Sequence, residues 1–166
     1  CRSGEARGML WTELDWEERV WTVPASRMKA RAAHRVPLVP QAIDILRLMA
    51  DQCDGSPLVF PSRRGTALSD MTLTKILRDA AIPSDVPERY ATVHGFRSTF
   101  RDWASEQGYP RDLAERALAH TIKSTAEAAY HRTDLLEQRR PLMENWAEWV
   151  NRTECADGTL RQRRSA

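Results

Sequence analysis

The sequence predicts an α+β fold that is mainly α, in which a small three-stranded antiparallel sheet packs on a helical bundle. Short runs rich in valine and tryptophan, split by polar turns, fill residues 9–39, as short strands do. From residue 40 to residue 151 apolar residues recur at helical spacing. The 166 residues include 42% hydrophobic ones, which is enough for one domain with its own core.

The three strands are expected at Met9–Trp11, Arg19–Pro24 and His34–Val39. The polar stretch Leu14–Glu18 between the first two is expected to form the first turn. Ser26–Ala33 is expected to form a loop at the tip of the second hairpin. Because consecutive short strands joined by short turns pair in antiparallel fashion, we expect one three-stranded sheet.

Helical periodicity accounts for most of the remaining chain. Ser69 and Thr92 are suitable N-cap residues, and Pro141 falls inside the last helix, where a proline is expected to kink or split it. Residues 152–166 are polar and are expected to form a disordered tail. The predicted helices are Pro40–Met49, Ser69–Ala80, Thr92–Gly108, Pro110–His120, Ala126–Arg132 and Thr133–Asn151.

The composition excludes several classes of protein. No apolar run is long enough to cross a bilayer, so no membrane partner is expected. Cys1, Cys53 and Cys155 lie far apart and lack the C-x-x-C spacing of a zinc site. Free thiols in a reducing compartment are therefore expected.

Basic residues are concentrated in one short segment, although the net charge of the chain is only +2. The predicted hairpin loop and the strand after it carry Arg27, Lys29, Arg31 and Arg35 with no acidic residue among them. Such a local concentration suggests an anionic partner that touches one face. A solvated hairpin explains the same residues without a partner.

The segment VHGFRSTFRDWASEQG, residues 93–108, places His94, Arg97 and Arg101 along one edge of a helix. A histidine and an arginine one turn apart offer several donors to a single anion, and the arginine fork suits phosphate oxygens. An ordinary amphipathic helix with a charged edge fits the same spacing.

Several motifs together resemble one family. HGFRSTFRDWA, then ALAH and AAYHRTDLLEQRR, resemble the C-terminal half of a tyrosine recombinase catalytic domain, especially in P4-like prophage integrases. CRSGEARGMLWTELD resembles the family's opening arginine motif, and RVWTVPASRMKARAAHRVPL resembles its lysine-bearing hairpin. The resemblance implies the DNA breaking-rejoining enzyme fold. It also implies that residues 1–151 are the integrase catalytic domain, N-terminally truncated and without the core-binding domain.

The resemblance implies roles for six residues in cutting DNA. Tyr130, in AAYHR, resembles the nucleophile that forms a covalent 3′-phosphotyrosine ester. Lys29 is expected to protonate the departing 5′-oxygen, and His94 to help accept the tyrosine proton. Arg2 and Arg97 are expected to clamp the non-bridging phosphate oxygens. The sixth residue, which supplies a further donor to the phosphate, is His120.

With this many cationic donors the resemblance implies neither a metal ion nor another cofactor. Arg27 or Arg31 remains an alternative to Lys29 as the hairpin donor, and His120 has the alternative of a helix C-cap. Tyr130 has the alternative of a packing aromatic among alanines. Contacts with DNA are expected from Arg27, Arg31, Arg101, His131 and Arg132.

The implied function is site-specific recombination that integrates or excises a prophage or genomic island. The implied partners are double-stranded DNA attachment sites, three further copies of the chain in a homotetramer on DNA, and accessory DNA-bending factors. The implied location is the bacterial cytoplasm, on the nucleoid. Three alternatives are weighed against it: a DNA-binding module without catalysis, a metal-dependent nuclease, and a generic helical domain with no nucleic-acid role. Without the upstream domain, full activity is not expected.

Overall fold

A computed structural model of the protein describes residues 1–84, 86–120, 133–154 and 160–162. Its helices are α1 Ser3–Arg7, α2 Pro40–Asp51, α3 Asp70–Asp79, α4 Gly95–Glu106, α5 Arg111–Ala117 and α6 Leu136–Val150. Its strands are β1 Leu14–Asp15, β2 Val20–Val23, β3 His34–Pro37, β4 Arg152–Glu154 and β5 Leu160–Gln162. Short 3-10 turns span Trp11–Glu13 and Ala25–Arg27.

The three-stranded antiparallel sheet is confirmed, and its order is β1-β2-β3. Trp21 pairs with Val36 across β2 and β3. The first strand lies later than predicted, at Leu14–Asp15 rather than Met9–Trp11. The reason is that the backbone of residues 9–11 bonds with residues 57–59 instead: Val59 N donates to the Met9 carbonyl oxygen at 2.9 Å.

The predicted helix starts are close to the observed ones. Ser69 is the N-cap of α3, and α2 begins at Pro40 and runs two residues past Met49. Thr92 Oγ1 accepts a hydrogen bond of 3.0 Å from Gly95 N, so it satisfies a free amide at the start of α4. After the end of α4 the chain turns at Gly108, which has a φ of 75° that favours glycine.

The last helix, α6, runs through Pro141 as one helix, so of the two predicted effects of this proline, a kink or a split, the split does not occur. Pro141 is exposed and so is Glu137 one turn earlier. Water can therefore satisfy the Glu137 carbonyl that the proline leaves without a donor. β4 and β5 pair within the segment for which the sequence predicts disorder. The predicted helix at residues 126–132 lies outside the described residues.

The described residues form two hydrophobic clusters. The first lies between the sheet and α2 and is built around Trp21, Val23 and Leu46. The second joins α4, α5 and α6 through a group of packed aromatic rings around Trp103. Leu142 of α6 is fully buried in this second cluster, so it packs within its own chain. The candidate site lies where α1, α4 and the end of α5 meet.

Candidate functional site

The guanidinium of Arg97 is held by two backbone carbonyl groups. Its Nη1 donates to the Cys1 carbonyl oxygen at 2.9 Å, and its Nη2 donates to the Leu118 carbonyl oxygen at 2.6 Å. Burial lowers the pKa of Arg97, and the positive charge of Arg2 lowers it further. α4 therefore presents Arg97 to a point where the start of the chain and the end of α5 meet, with the charge of Arg2 close by.

Arg2 is fixed by Glu5 within the first turn of α1. Arg2 Nη1 forms a 3.0 Å salt bridge with Glu5 Oε1, and the Arg2 backbone amide donates to Glu5 Oε2 at 2.5 Å. Burial alone would raise the pKa of Glu5, but the hydrogen bonds from Arg2 outweigh it and hold that pKa below its ordinary value. Glu5 therefore stays ionised and orients the Arg2 side chain beside Arg97.

His120 completes a chain of polar contacts. Arg97 Nη2 lies 2.9 Å from His120 Nε2, while His120 Nδ1 contacts Glu115 Oε2. The other carboxylate oxygen of Glu115 lies 3.2 Å from Arg101 Nε. His120 reaches back to Glu115 because Ala119 takes a left-handed φ of 51° just after α5. The structure therefore brings together four side chains from α4 and the end of α5.

Glu115 was missed by sequence reasoning. A carboxylate five residues before a histidine is not on the same helical face, so the spacing gives no signal. The contact depends on the left-handed backbone conformation of Ala119, and an alanine in a sequence does not predict that conformation. Glu115 is one of the few acidic side chains in this region that is not fully exposed.

Arg27, which the sequence offers as a DNA contact or as an alternative to Lys29, is engaged inside the domain. Its Nη2 forms a 2.5 Å salt bridge with Glu13, and its Nη1 donates to the Glu5 carbonyl oxygen at 3.0 Å. Gly8 lies against this guanidinium, since a Cβ at Gly8 would lie 2.7 Å from Arg27 Nη1. These contacts tie the hairpin loop to α1 and favour a structural role for Arg27.

Lys29 and Arg31 differ from Arg27 in their surroundings. Both are exposed on the loop between β2 and β3. Neither side chain makes a hydrogen bond or ion pair with any residue that the structure describes. Arg31 has a left-handed φ of 52°. Both charges are therefore available to an external anion.

His94 is the N-cap residue of α4, one turn before Arg97. Its carbonyl oxygen accepts a hydrogen bond of 3.0 Å from Arg97 N, and its imidazole is exposed. Arg2, Arg97 and His120 thus lie together, while the side chains of Lys29 and His94 form no hydrogen bond or ion pair with these three residues. Tyr130, His131 and Arg132 lie outside the described residues.

The described residues on both sides of the segment 121–132 are firmly held. On its N-terminal side are His120 and the Leu118 carbonyl, as above. On its C-terminal side Arg116 Nη1 donates to the Thr133 carbonyl oxygen at 2.8 Å. Asp134 accepts two hydrogen bonds from Arg35, at 2.8 and 2.7 Å, and the hydrogen bond from Arg35 lowers the pKa of Asp134. The chain therefore enters and leaves this segment at fixed points.

Two further observations bear on the kind of site. Within residues 1–84, 86–120, 133–154 and 160–162, no group of three or more His, Cys, Asp or Glu side chains is placed to hold a metal ion. None of the described helices has the length and apolar character needed to span a membrane. The arrangement is a cluster of cationic donors, which suits an oxyanion.

Comparison with known proteins identifies the family. Residues 1–136 match the family described as "Phage integrase family". The chain is 37% identical over 151 residues to prophage integrase IntA of Escherichia coli strain K12, covering 90% of this chain and 35% of IntA. It is 31% identical over 166 residues to the integrase of Enterobacteria phage P4, covering 90% of this chain and 37% of that integrase.

A solved structure has the same fold. The XerA recombinase superposes with a TM-score of 0.59 at 19% identity, covering 88% of this chain and 53% of that one. The mainly helical α+β class predicted from the sequence is confirmed by this likeness. The chain spans little more than a third of the length of the two curated relatives it matches.

Proposed function

This chain belongs to the phage integrase family, and from that premise we propose that it carries the catalytic site of a site-specific recombinase acting on double-stranded DNA. The predicted membership of the tyrosine recombinases is confirmed by the family match and by the P4 integrase relative. The activity is proposed for the whole protein, since the chain spans only part of its relatives' length.

The observation that carries the proposal is the position of Arg97. Two carbonyl groups fix its guanidinium, the charge of Arg2 lies close by, and His120 is in contact with it. The charge of Arg2 lowers the pKa of Arg97, an effect that Glu5 and Glu115 oppose, so the two guanidinium groups repel one another in the free protein. An anion between them relieves this repulsion, so the geometry supports a phosphate group as the ligand.

In the proposed reaction Tyr130 attacks the phosphorus and becomes linked to the 3′-phosphate of the broken strand. The tyrosine hydroxyl is a poor nucleophile at neutral pH, with a pKa near ~10, so a base and a positive field must assist it. His94 receives or directs the tyrosine proton. Arg2, Arg97 and His120 stabilise the charge on the non-bridging oxygens in the transition state.

Lys29 is the proposed donor of a proton to the departing 5′-oxygen. Its ammonium is exposed and unpaired among the described residues, whereas the Arg27 guanidinium is engaged by Glu13. An arginine would also be a poor general acid, because its guanidinium has a very high pKa and holds its proton too tightly. These two differences support Lys29 over its basic neighbours.

DNA backbone contacts are proposed for Arg31 and Arg101, whose side chains are exposed, and for His131 and Arg132. Arg101 keeps its bond to Glu115 while half of its side chain remains accessible. Basic side chains at phosphates give affinity that falls with salt and fix the protein's position on the duplex. A homotetramer on two DNA sites, DNA-bending partners, and a location on the bacterial nucleoid are further parts of this proposal.

The reaction is tested with the full-length protein and a nicked suicide DNA substrate in EDTA. We expect a covalent protein–DNA adduct that Tyr130→Phe abolishes. The matched control is Tyr90→Phe, because Tyr90 is an exposed tyrosine outside the site. An adduct that persists in Tyr130→Phe would refute the assignment of the nucleophile.

The same experiment separates the alternative functions. A DNA-binding module without catalysis would retain DNA in a mobility-shift assay and give no adduct in any variant. A metal-dependent nuclease would cleave without an adduct and would stop in EDTA. Loss of the adduct in Arg97→Ala, with DNA binding retained, is expected from the phosphate role of Arg97.

A further inference from the structure

The contact between Arg97 and His120 has a chemical consequence for the histidine. Arginine has donors and no acceptor. The 2.9 Å contact between Arg97 Nη2 and His120 Nε2 therefore requires Nε2 to accept, which means that Nε2 carries no proton. The other ring nitrogen, Nδ1, then carries the proton and donates it to Glu115 Oε2.

In this tautomer His120 Nε2 cannot donate a hydrogen bond to a phosphate. Its only free lone pair already faces Arg97, and a lone pair directed at a phosphate oxygen would be repelled. To donate to phosphate, Nε2 must gain a proton, and the ring then becomes an imidazolium with two N–H groups. His120 is partly exposed, so the proton can come from solvent.

We propose that binding of an oxyanion at Arg97 drives protonation of His120, with Glu115 as the positioning residue that stabilises the imidazolium. The Arg97 Nη2–H group that donates to His120 Nε2 in the free protein donates to an anion oxygen instead. His120 Nε2 takes one H⁺ from solvent and donates to the same anion. No other bond forms or breaks. This rests on the proposed function, since the anion is the scissile phosphate.

The charges around His120 favour this exchange only when the anion is present. Among the described residues the ring faces Arg97 from α4 and Glu115 from α5, and Arg101 faces the second oxygen of Glu115. In the free site one carboxylate stands between two guanidinium groups, which opposes a third positive charge. An anion at Arg97 adds negative charge beside the ring and reverses that balance. Glu115 is 18% exposed, so its charge acts with limited screening.

The test uses the 166-residue chain labelled with nitrogen-15 in its histidine and arginine side chains. Sulfate is the probe, because it is a tetrahedral anion whose charge does not change near neutral pH. In the free protein the signal that His120→Asn removes should be that of a neutral ring protonated at Nδ1. With sulfate the unprotonated Nε2 signal should be replaced by a protonated one.

Sulfate affinity should also depend on pH. Because about one proton is taken up with the anion, affinity should fall by about tenfold for each pH unit wherever free His120 is neutral and the anion-bound ring is protonated. Glu115→Gln keeps the size of the side chain and removes its charge. In that variant sulfate should bind at least about tenfold more weakly and leave His120 neutral. Glu137→Gln is the matched control, since Glu137 pairs with Arg140 on the surface.

Each outcome separates this inference from the proposed function. A free His120 protonated at Nε2 would overturn the inference, whether or not Glu115→Gln folds. Sulfate that shifts the Arg97 signals while His120 stays neutral would overturn the inference and leave the phosphate site intact. Sulfate that shifts neither residue would overturn both.

Discussion

Arg139 Nη1 donates a hydrogen bond of 2.8 Å to the backbone carbonyl oxygen of Arg35, across 104 positions of the chain. Arg139 lies on α6 and is only 1% exposed, and Arg35 lies on β3. A second donor, Nη2, reaches Asp134 at 3.3 Å. Burial lowers the pKa of Arg139, which the charge of Asp134 partly offsets. The bond therefore joins the sheet to the last helix through a buried cation.

Replacing Arg139 should strongly destabilise the domain. Arg139→Ala removes a buried side chain and leaves the Arg35 carbonyl without its donor, and we expect the free energy of unfolding to fall by on the order of 3 kcal/mol. Urea denaturation measures this change. Arg47→Ala is the control, because Arg47 forms only a loose, exposed pair with Asp44 and should change stability by less than about 1 kcal/mol. Equal stabilities of the two variants would contradict the structural role of Arg139.

His34 should make the fold sensitive to mild acid. Burial is the main cause, and the positive charge of Arg139 the second, of a His34 pKa lowered to about 4. The unfolded chain has a histidine pKa of 6.5, so between these values the unfolded state binds more protons than the folded state. The contribution of His34 is therefore fully present above pH 6.5 and is lost progressively as the pH falls towards about 4.

Urea denaturation at several pH values between about 4 and 7.5 measures this loss. His34→Leu should flatten the dependence over that window, because it removes the titrating group. His94→Asn is the matched control, since His94 is exposed and its replacement should leave the slope in place. A wild-type stability that stays constant from pH 6.5 to pH 4.5 would refute the prediction.

Arg27 should matter for stability more than for DNA contact. Arg27→Ala leaves Glu13 without its salt bridge, although the Trp21 indole still donates to Glu13 Oε2 at 2.9 Å. The Glu13 side chain is only 8% exposed, and a carboxylate so buried that loses its partner costs on the order of 2 kcal/mol. Thermal denaturation should show a clearly lower midpoint for Arg27→Ala than for Lys29→Ala. A lower midpoint for Lys29→Ala than for Arg27→Ala would contradict the structural role of Arg27.

Arg31 should contribute to DNA affinity without affecting the fold. Its exposed side chain has no partner among the residues that the structure describes. Arg31→Ala should reduce the slope of log affinity against log salt by about 0.9, the value for one lost phosphate contact. Fluorescence anisotropy with duplex DNA at several salt concentrations measures the slope. An unchanged slope, with unchanged stability, would remove Arg31 from the DNA-binding surface.

Periodicity and end signals were sufficient to predict most of the helices. α2 and α3 begin at Pro40 and just after Ser69, because a proline and a capping serine act within a single turn. The position of β1 depended on a partner 50 residues away: Met9 bonds with Val59, and no local pattern encodes that choice. Pairing between distant segments outweighed the strand propensity of residues 9–11.

Only those residues of the candidate site that lie in recognisable family motifs could be predicted from the sequence. Arg2, Arg97 and His120 were matched through motif resemblance, and the structure brings these three together. Glu115 was not predicted, because its contact with His120 requires a left-handed backbone conformation at Ala119. The salt bridge of Arg27 inside the domain was not predicted. Its partner, Glu13, lies 14 positions earlier in the chain, and the charge of an arginine does not indicate which carboxylate it will bind.

Because Gly8 packs against Arg27, the residues that position 8 tolerates depend on the residue at position 27. A methyl group at position 8 would lie 2.7 Å from Arg27 Nη1, so it must displace the guanidinium from the Glu5 carbonyl oxygen. A shorter side chain at position 27 removes that obstacle. Positions 8 and 27 are therefore epistatic: a library randomised at position 8 should return glycine while arginine is at 27, and should accept alanine once position 27 is small.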